Sequence, residues 1–254
     1  KRRVLVIDHC TPTPDQDAGS LTCLEIMRAF KDIGFKVTFI PEDNFLYMPK
    51  ETRDLQRIGI EAVYYPFYKS VSEYLQLHGH LFDVVLIFRS GAASRHLASV
   101  RELCPAAKIL YHTSDLHFLR EIRQIEIEGS SKRKRASVEQ TKKTELSLTK
   151  SVDLTIVHST YERDVLVELA PKANVYVFPW ILDTVGRVAD FDGRNGLIFL
   201  GGYRHQPNVD AVLYFVSKVW PLIRAQIPES FFYVAGSNPP PELLKLDGKN
   251  NIVV

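Results

Sequence analysis

Gly196-Leu-Ile-Phe-Leu-Gly-Gly-Tyr-Arg-His-Gln-Pro-Asn-Val-Asp-Ala-Val212 decides the fold. Its four apolar residues, Leu197–Leu200, read as a short strand, and the two glycines turn the chain. Val209, Val212, Leu213, Val216 and Val219 or Trp220 then recur at helical spacing. Asn208, directly after Pro207, is the expected N-cap, and Asp210 complements the positive end of the helix dipole. This strand–turn–helix repeats, late in the chain, a pattern that has already run its course once.

The earlier run consists of Val4–Ile7, Val37–Ile40, Ala62–Tyr65, Val84–Phe88, Ile109–Tyr111, Leu154–Val157 and Val175–Phe178, with amphipathic segments between them. Near-continuous hydrophobicity fits strands covered on both faces, as in a parallel sheet flanked by helices. The first helix is expected to turn Leu21, Leu24, Met27 and Phe30 inward, with Ser20 as its cap and Gly34 near its end. The fold class is therefore α/β: a Rossmann-like, doubly wound domain over residues 1–180, a polar linker over 181–196, and a second, incomplete domain over 197–254. Phe232–Ala235 and Ile252–Val254 supply the further strands of that second domain. Starting on a strand and stopping in one, the chain is expected to be part of a larger polypeptide.

Composition narrows the setting. The 254 residues are 45% hydrophobic and 24% charged with a net charge of +2, an ordinary globular balance and no argument for nucleic acid. No apolar stretch is long enough to span a bilayer, and Cys10, Cys23 and Cys104, odd in number, far apart and without a C-x-x-C pair, read as free thiols of a reducing compartment. A cytoplasmic protein is the expectation. The charged segment Gly129–Lys150, with Lys132-Arg-Lys-Arg135, has no interleaved aromatics and reads as a solvated helix, Glu139 and Glu145 balancing its lysines.

Ligands of such sheets bind beyond the carboxyl ends of the strands, and three loops there carry chemistry. Thr11-Pro-Thr-Pro-Asp-Gln-Asp-Ala-Gly-Ser20 lacks the dinucleotide G-x-G-x-x-G fingerprint but brings Asp17, Gly19 and Ser20 to a helix start, where an anion or a sugar hydroxyl can bind. Tyr111-His-Thr-Ser-Asp-Leu-His-Phe-Leu-Arg-Glu121 gathers Asp115 as a base or hydroxyl holder, His117 as a proton carrier and Arg120 for phosphate. Gly201-Gly-Tyr-Arg-His-Gln-Pro-Asn208 lets backbone amides approach a diphosphate, with Arg204 or His205 adding charge. The alternative is a capped turn without a ligand for the first and third loops, and structural histidines for the second. Asp15-Gln-Asp17 and Asp190-Phe-Asp192 are acidic triplets without nearby histidines, so no metal is expected.

At the same three loops the chain resembles the GT-B glycosyltransferases of the large retaining family that includes bacterial capsule and O-antigen enzymes. The motifs are Pro12-Thr-Pro-Asp-Gln-Asp-Ala-Gly-Ser20, Asp115-Leu-His-Phe-Leu-Arg-Glu121 and Phe199-Leu-Gly-Gly-Tyr-Arg-His-Gln-Pro-Asn-Val-Asp-Ala-Val212. The resemblance implies two facing Rossmann-like domains, the first for the acceptor and the second for the nucleotide sugar. It implies a cofactor-free, metal-independent transfer with retention of configuration, in surface polysaccharide or glycan assembly. The implied partners are a nucleotide sugar, a glycan or lipid-linked acceptor and the inner face of a membrane, and no nucleic acid. Asp115, His117 and His112 are the implied catalytic group, His112 standing where relatives often carry an acidic residue. Gly201, Gly202, Arg204, His205 and Asn208 are the implied donor site, and Asp17, Gly19, Ser20 and Arg120 the acceptor or anion loop. The donor-holding glutamates of such enzymes fall beyond Val254, so the residues given are expected to be inactive alone. The competing expectations are a non-catalytic nucleotide- or glycan-binding fragment and a nucleotide-sugar epimerase.

Overall fold

The apolar runs do pair as parallel strands, as a computed structural model describing residues 2–43, 45–129, 131–182 and 186–254 makes plain. In chain order the first part comprises β1 (Arg3–Asp8), α1 (Ala18–Asp32), β2 (Lys36–Pro41), α2 (Glu51–Arg57), β3 (Glu61–Ala62), α3 (Val71–His78), β4 (Val84–Phe88), α4 (Ser90–Leu103), β5 (Lys108–His112), α5 (His117–Glu128), α6 (Lys132–Ser151), β6 (Leu154–Val157), α7 (Thr160–Leu169) and β7 (Val175–Val177). The second part comprises β8 (Leu197–Leu200), α8 (Gln206–Tyr214), α9 (Trp220–Gln226), β9 (Phe232–Ala235), α10 (Pro241–Leu244) and β10 (Ile252–Val253).

The first seven strands form one sheet in the order β3-β2-β1-β4-β5-β6-β7, all parallel. The last three form a separate parallel sheet, β10-β9-β8. The expected α/β class and the restart at Leu197 are both borne out. The chain divides into two compact units, Lys1–Ile181 and Leu182–Val254. Of the expected linker, residues 183–185 lie outside the described residues.

Alternation along the strands explains why both faces are apolar. Leu5, Ile7, Val85, Ile87 and Ile109 pack with α3 and α4 on one face, and Val4, Val6, Val37, Phe39 and Leu86 pack with Cys23 and Met27 of α1 on the other. Each fully buried side chain of this kind contributes roughly 1.5–3 kcal/mol. The second unit has its own core of Val209, Val212, Trp220, Phe232, Val234, Leu243 and Ile252.

Local chemistry departs from expectation at several ends. The N-cap of α1 is Asp17, whose Oδ1 accepts the Ser20 N–H at 2.9 Å; Ser20 itself lies inside the helix and is buried. Aspartate and serine cap about equally well, so the extended backbone at Asp17, φ −148 and ψ 150, decides between them. Gly34, at φ 93, ends the same helix as expected. The N-cap of α8 is His205, without a side-chain cap bond, so Asn208 and Asp210 lie inside the helix, with Asp210 beyond its first turn. Strand β3 stops at Ala62, because Tyr64 turns away to pack on Tyr47 and Phe67, at ring centroid distances of 4.9 and 5.4 Å. The stripe after α8 passes through a π turn, Phe215–Val219, before α9. Pro221, near the start of α9, supplies no N–H to a continuous α-helical ladder, and the widened turn accommodates it.

Candidate functional site

Four strands of the first unit bring their carboxyl ends together, and the side chains there are polar where the strands behind them are not. At the end of β1 stands Asp8, 1% exposed. Its neighbour β4 is followed by Arg89, whose Nε donates to Asp8 Oδ1 at 2.9 Å. Burial raises the Asp8 pKa, and the nearby guanidinium opposes that rise. Asp17 and Gly19 close this edge at the start of α1: a methyl group added to Gly19 would stand 3.0 Å from Arg89 Nη2 and 3.2 Å from Asp17 Oδ1.

His112 is the last residue of β5 and is 1% exposed. Its Nδ1 accepts the Ser114 N–H at 3.1 Å, which places the proton of the neutral ring on Nε2. That Nε2 has no hydrogen-bond partner among the described residues. Burial, then the His158 and Arg89 charges, lower the His112 pKa to about 3, so the ring stays neutral and Nε2 stays a donor. The ring stacks on Phe88 at 4.4 Å and meets His158 edge-on at 4.8 Å. His158 in turn lies flat on Trp180 at 4.2 Å, its Nδ1 bonded to the Phe178 carbonyl at 3.0 Å.

Asp115 and His117 follow directly. His117 Nε2 lies 3.2 Å from Asp115 Oδ1, and Arg120 Nη1 donates to Asp115 Oδ2 at 2.6 Å. The hydrogen bond to Asp115 is the main reason the His117 pKa is raised. Asp115 thus sits between the His117 ring and the Arg120 guanidinium, and Arg120 is turned toward it. This pair is held from behind by Glu145 of α6, which is fully buried and accepts the N–H groups of His117 and Phe118 at 3.1 and 3.2 Å. Glu145 is therefore no solvated partner of the α6 lysines. Burial raises its pKa against the pull of those two amides.

The second unit places its glycine loop ahead of α8. Gly201 donates to the Ala235 carbonyl at 3.0 Å, and Asn208 Nδ2 donates back to the Gly202 carbonyl at 3.0 Å. A methyl group on Gly201 would come within 2.9 Å of that side-chain amide, which would have to give way. Arg204 and His205 are exposed on the loop. With no side-chain cap and with Pro207 in its first turn, α8 presents an N-terminus suited to negative charge.

The acidic triplets are otherwise engaged. Asp15 pairs with Lys50 at 3.1 Å and Asp190 with Arg187 at 3.0 Å. Among the described residues no group of three or more His, Cys, Asp or Glu side chains is arranged to hold a metal ion, and no helix is long and apolar enough to cross a membrane.

Sequence reasoning passed over Asp8, Arg89, His158, Trp180 and the role of Glu145. For Arg89 the only signal was a cation directly after the apolar run Val84–Phe88. For Glu145 there was none, since its partners lie 28 and 27 positions away.

No protein-family model matches the chain, and no curated protein matches it in sequence. Its fold is similar to that of the sucrose-phosphate synthase (tll1590) from Thermosynechococcus elongatus, with a TM-score of 0.64 and 12% identity over 100% of this chain and 70% of that one. It is also similar to that of Glycyrrhiza uralensis UGT73P12, solved in complex with glycyrrhetinic acid 3-O-monoglucuronide, with a TM-score of 0.53 and 11% identity over 99% of this chain and 68% of that one. At such identities the likeness is one of fold, and that fold is GT-B.

Proposed function

We propose that the protein is a glycosyltransferase, moving a sugar from a nucleotide-sugar donor to a hydroxyl of a glycan or lipid-linked acceptor. The observation that carries this reading is the polar edge of the first sheet, where the buried, neutral His112 keeps an Nε2–H that no described residue answers, just ahead of the Asp115–His117 pair in the chain. A GT-B fold supports it. In this reading the second unit takes the donor diphosphate at the Gly201–Gly202 turn, where the α8 N-terminus and Arg204 offset the negative charge that develops as the bond from the anomeric carbon to the phosphate oxygen breaks. The new bond forms from the acceptor oxygen, whose proton leaves with a basic group. His112 Nε2–H and the Asp115–His117 pair orient hydroxyls of the sugars. Retention of configuration, independence from metal, a role in bacterial polysaccharide assembly and a peripheral place at the membrane belong to the same proposal.

The test is transfer from radiolabelled nucleotide sugars to a glycan acceptor by the full-length protein, with and without a chelator. Label on the acceptor, undiminished by the chelator, is the expected result. Label that changes sugar identity but stays on the nucleotide favours an epimerase, and saturable binding without turnover favours a binding module. Arg204→Ala should weaken nucleoside diphosphate binding by the full-length protein by roughly ten- to a hundredfold, the worth of one charge-assisted contact.

A further inference from the structure

Arg89 occupies the point where β1 and β4 lie side by side and the chain winds away from them in opposite directions, the place in such sheets where ligands bind. Its backbone has φ 68 and ψ 142, a conformation close to one that essentially only glycine adopts and that costs an L residue on the order of 1–3 kcal/mol. Its N–H is pinned to the His112 carbonyl at 2.8 Å. A glycine would relax this position, so the side chain has to account for the arginine. Asp8 explains only Nε. Both Nη groups lack a hydrogen-bond partner among the described residues, and the side chain is 34% exposed. Arg95, nearby in sequence, differs: its Nε and Nη2 are both taken up by Glu42. Two buried polar atoms on the adjoining β5 edge, His112 Nε2 and Ser114 Oγ, are likewise unanswered by the described residues. The polar surface at this edge is built for something besides the protein.

The charges say what. One guanidinium stands against two carboxylates, Asp8 and Asp17, so a phosphate or carboxylate ligand meets net repulsion. A hydroxyl both donates and accepts. Asp17 spends its oxygens on the Ser20 N–H and Oγ and, at 3.4 Å, on Thr13 Oγ1, which leaves a carboxylate with about four acceptor positions able to take one more donor. Gly19 keeps the space between Arg89 and Asp17 clear.

We propose that Arg89 and Asp17 clamp an uncharged sugar through adjacent hydroxyls, Arg89 Nη donating to one and Asp17 accepting from the next. The clamp rests on the transferase reading and deepens it: the substrate taken up by the first unit is a neutral polyol at this position, not a phosphorylated one.

The full chain, labelled with 15N-arginine, tests this through the Arg89 Nε–H resonance, identified by its loss in Arg89→Gly. The probes are methyl glycosides of glucose, galactose, mannose and rhamnose, and inorganic phosphate. A saturable shift with at least one glycoside is expected, weakened about tenfold or more in Asp17→Ser, which keeps a helix cap, and none with phosphate. A saturable shift with phosphate, or with none of the probes, overturns the clamp. Arg89→Gly and Arg89→Ala both lose the Asp8 pair, so a higher Tm for the glycine variant reports the backbone strain, and equal Tm values remove the reason for assigning the side chain a ligand. Turnover of a nucleotide sugar by the full-length protein without a glycoside response at Arg89 sinks the clamp alone; a glycoside response with no turnover of any nucleotide sugar by the full-length protein sinks the transferase reading alone.

Discussion

Glu145 accepts the backbone N–H of His117 at 3.1 Å across 28 positions of sequence, so α6 caps α5 from outside. N-terminal amides of a helix ordinarily look to a side chain of their own loop. Here Leu116, at the N-cap, has none to offer.

Glu145→Ala should therefore strip two amides of their acceptor at once. An unanswered buried group costs about 1–3 kcal/mol, and in a domain of this size each kcal/mol lowers Tm by roughly 2–4 °C. Glu145→Gln, which keeps one carbonyl oxygen, should lose less. Thermal melts of the two variants decide it; an unchanged Tm for the alanine form means the carboxylate is no tether.

The Asp115–His117 pair carries a pH signature. Its hydrogen bond raises the His117 pKa above 6.5, so the folded state favours the protonated ring. The stabilisation is fully present below 6.5 and fades as pH rises through the raised value. A histidine NMR titration should find His117 above 6.5 and bring it down in Asp115→Asn, where the hydrogen bond that chiefly raises it is lost and the Arg120 charge still opposes protonation. A His117 that titrates alike in both proteins breaks the pairing.

His112 acts in the opposite sense. The unfolded chain protonates this ring near 6.5 and the folded protein only at about 3, so stability should fall as pH drops through that interval. The slope contributed by one proton is about 1.4 kcal/mol per pH unit. Denaturant unfolding at about pH 6 and about pH 4 should show a shallower loss for His112→Asn, whose side-chain oxygen can still accept the Ser114 N–H.

Two glycines of the second unit should respond differently to alanine. At Gly236, φ 143, the new methyl would stand 1.8 Å from the Gly201 carbonyl oxygen, whereas at Gly248, φ 71, nothing lies within 4 Å. Gly248→Ala should cost about 1 kcal/mol or so of backbone preference. Gly236→Ala should cost several times that and disturb the loop ahead of α8. Hydrogen exchange resolved along the chain should show fast exchange in the second unit of Gly236→Ala only; equal protection in both variants would defeat the steric argument.

The strands and the restart were legible because they depend on runs of neighbouring residues; the order of the strands in the sheet was not. Val4–Ile7 or Leu197–Leu200 can be read as buried strands from their own composition, and the glycine pair at Gly201–Gly202 marks its turn without outside help. The segments carrying Asp17, Asp115 and His117 were legible for the same reason, since each follows a strand, and His112 ends one. What neighbouring residues could not determine was how charge is shared among distant segments. Asp8 and Arg89 are 81 positions apart, and only the β1–β4 register makes them partners. Glu145 looked like one more charge on a solvated helix until packing of α6 against α5 buried it. Buried ionisable groups find their partners through tertiary geometry, because desolvation makes any unpaired position costly and the pairing is made in space, with no regard to spacing in the chain.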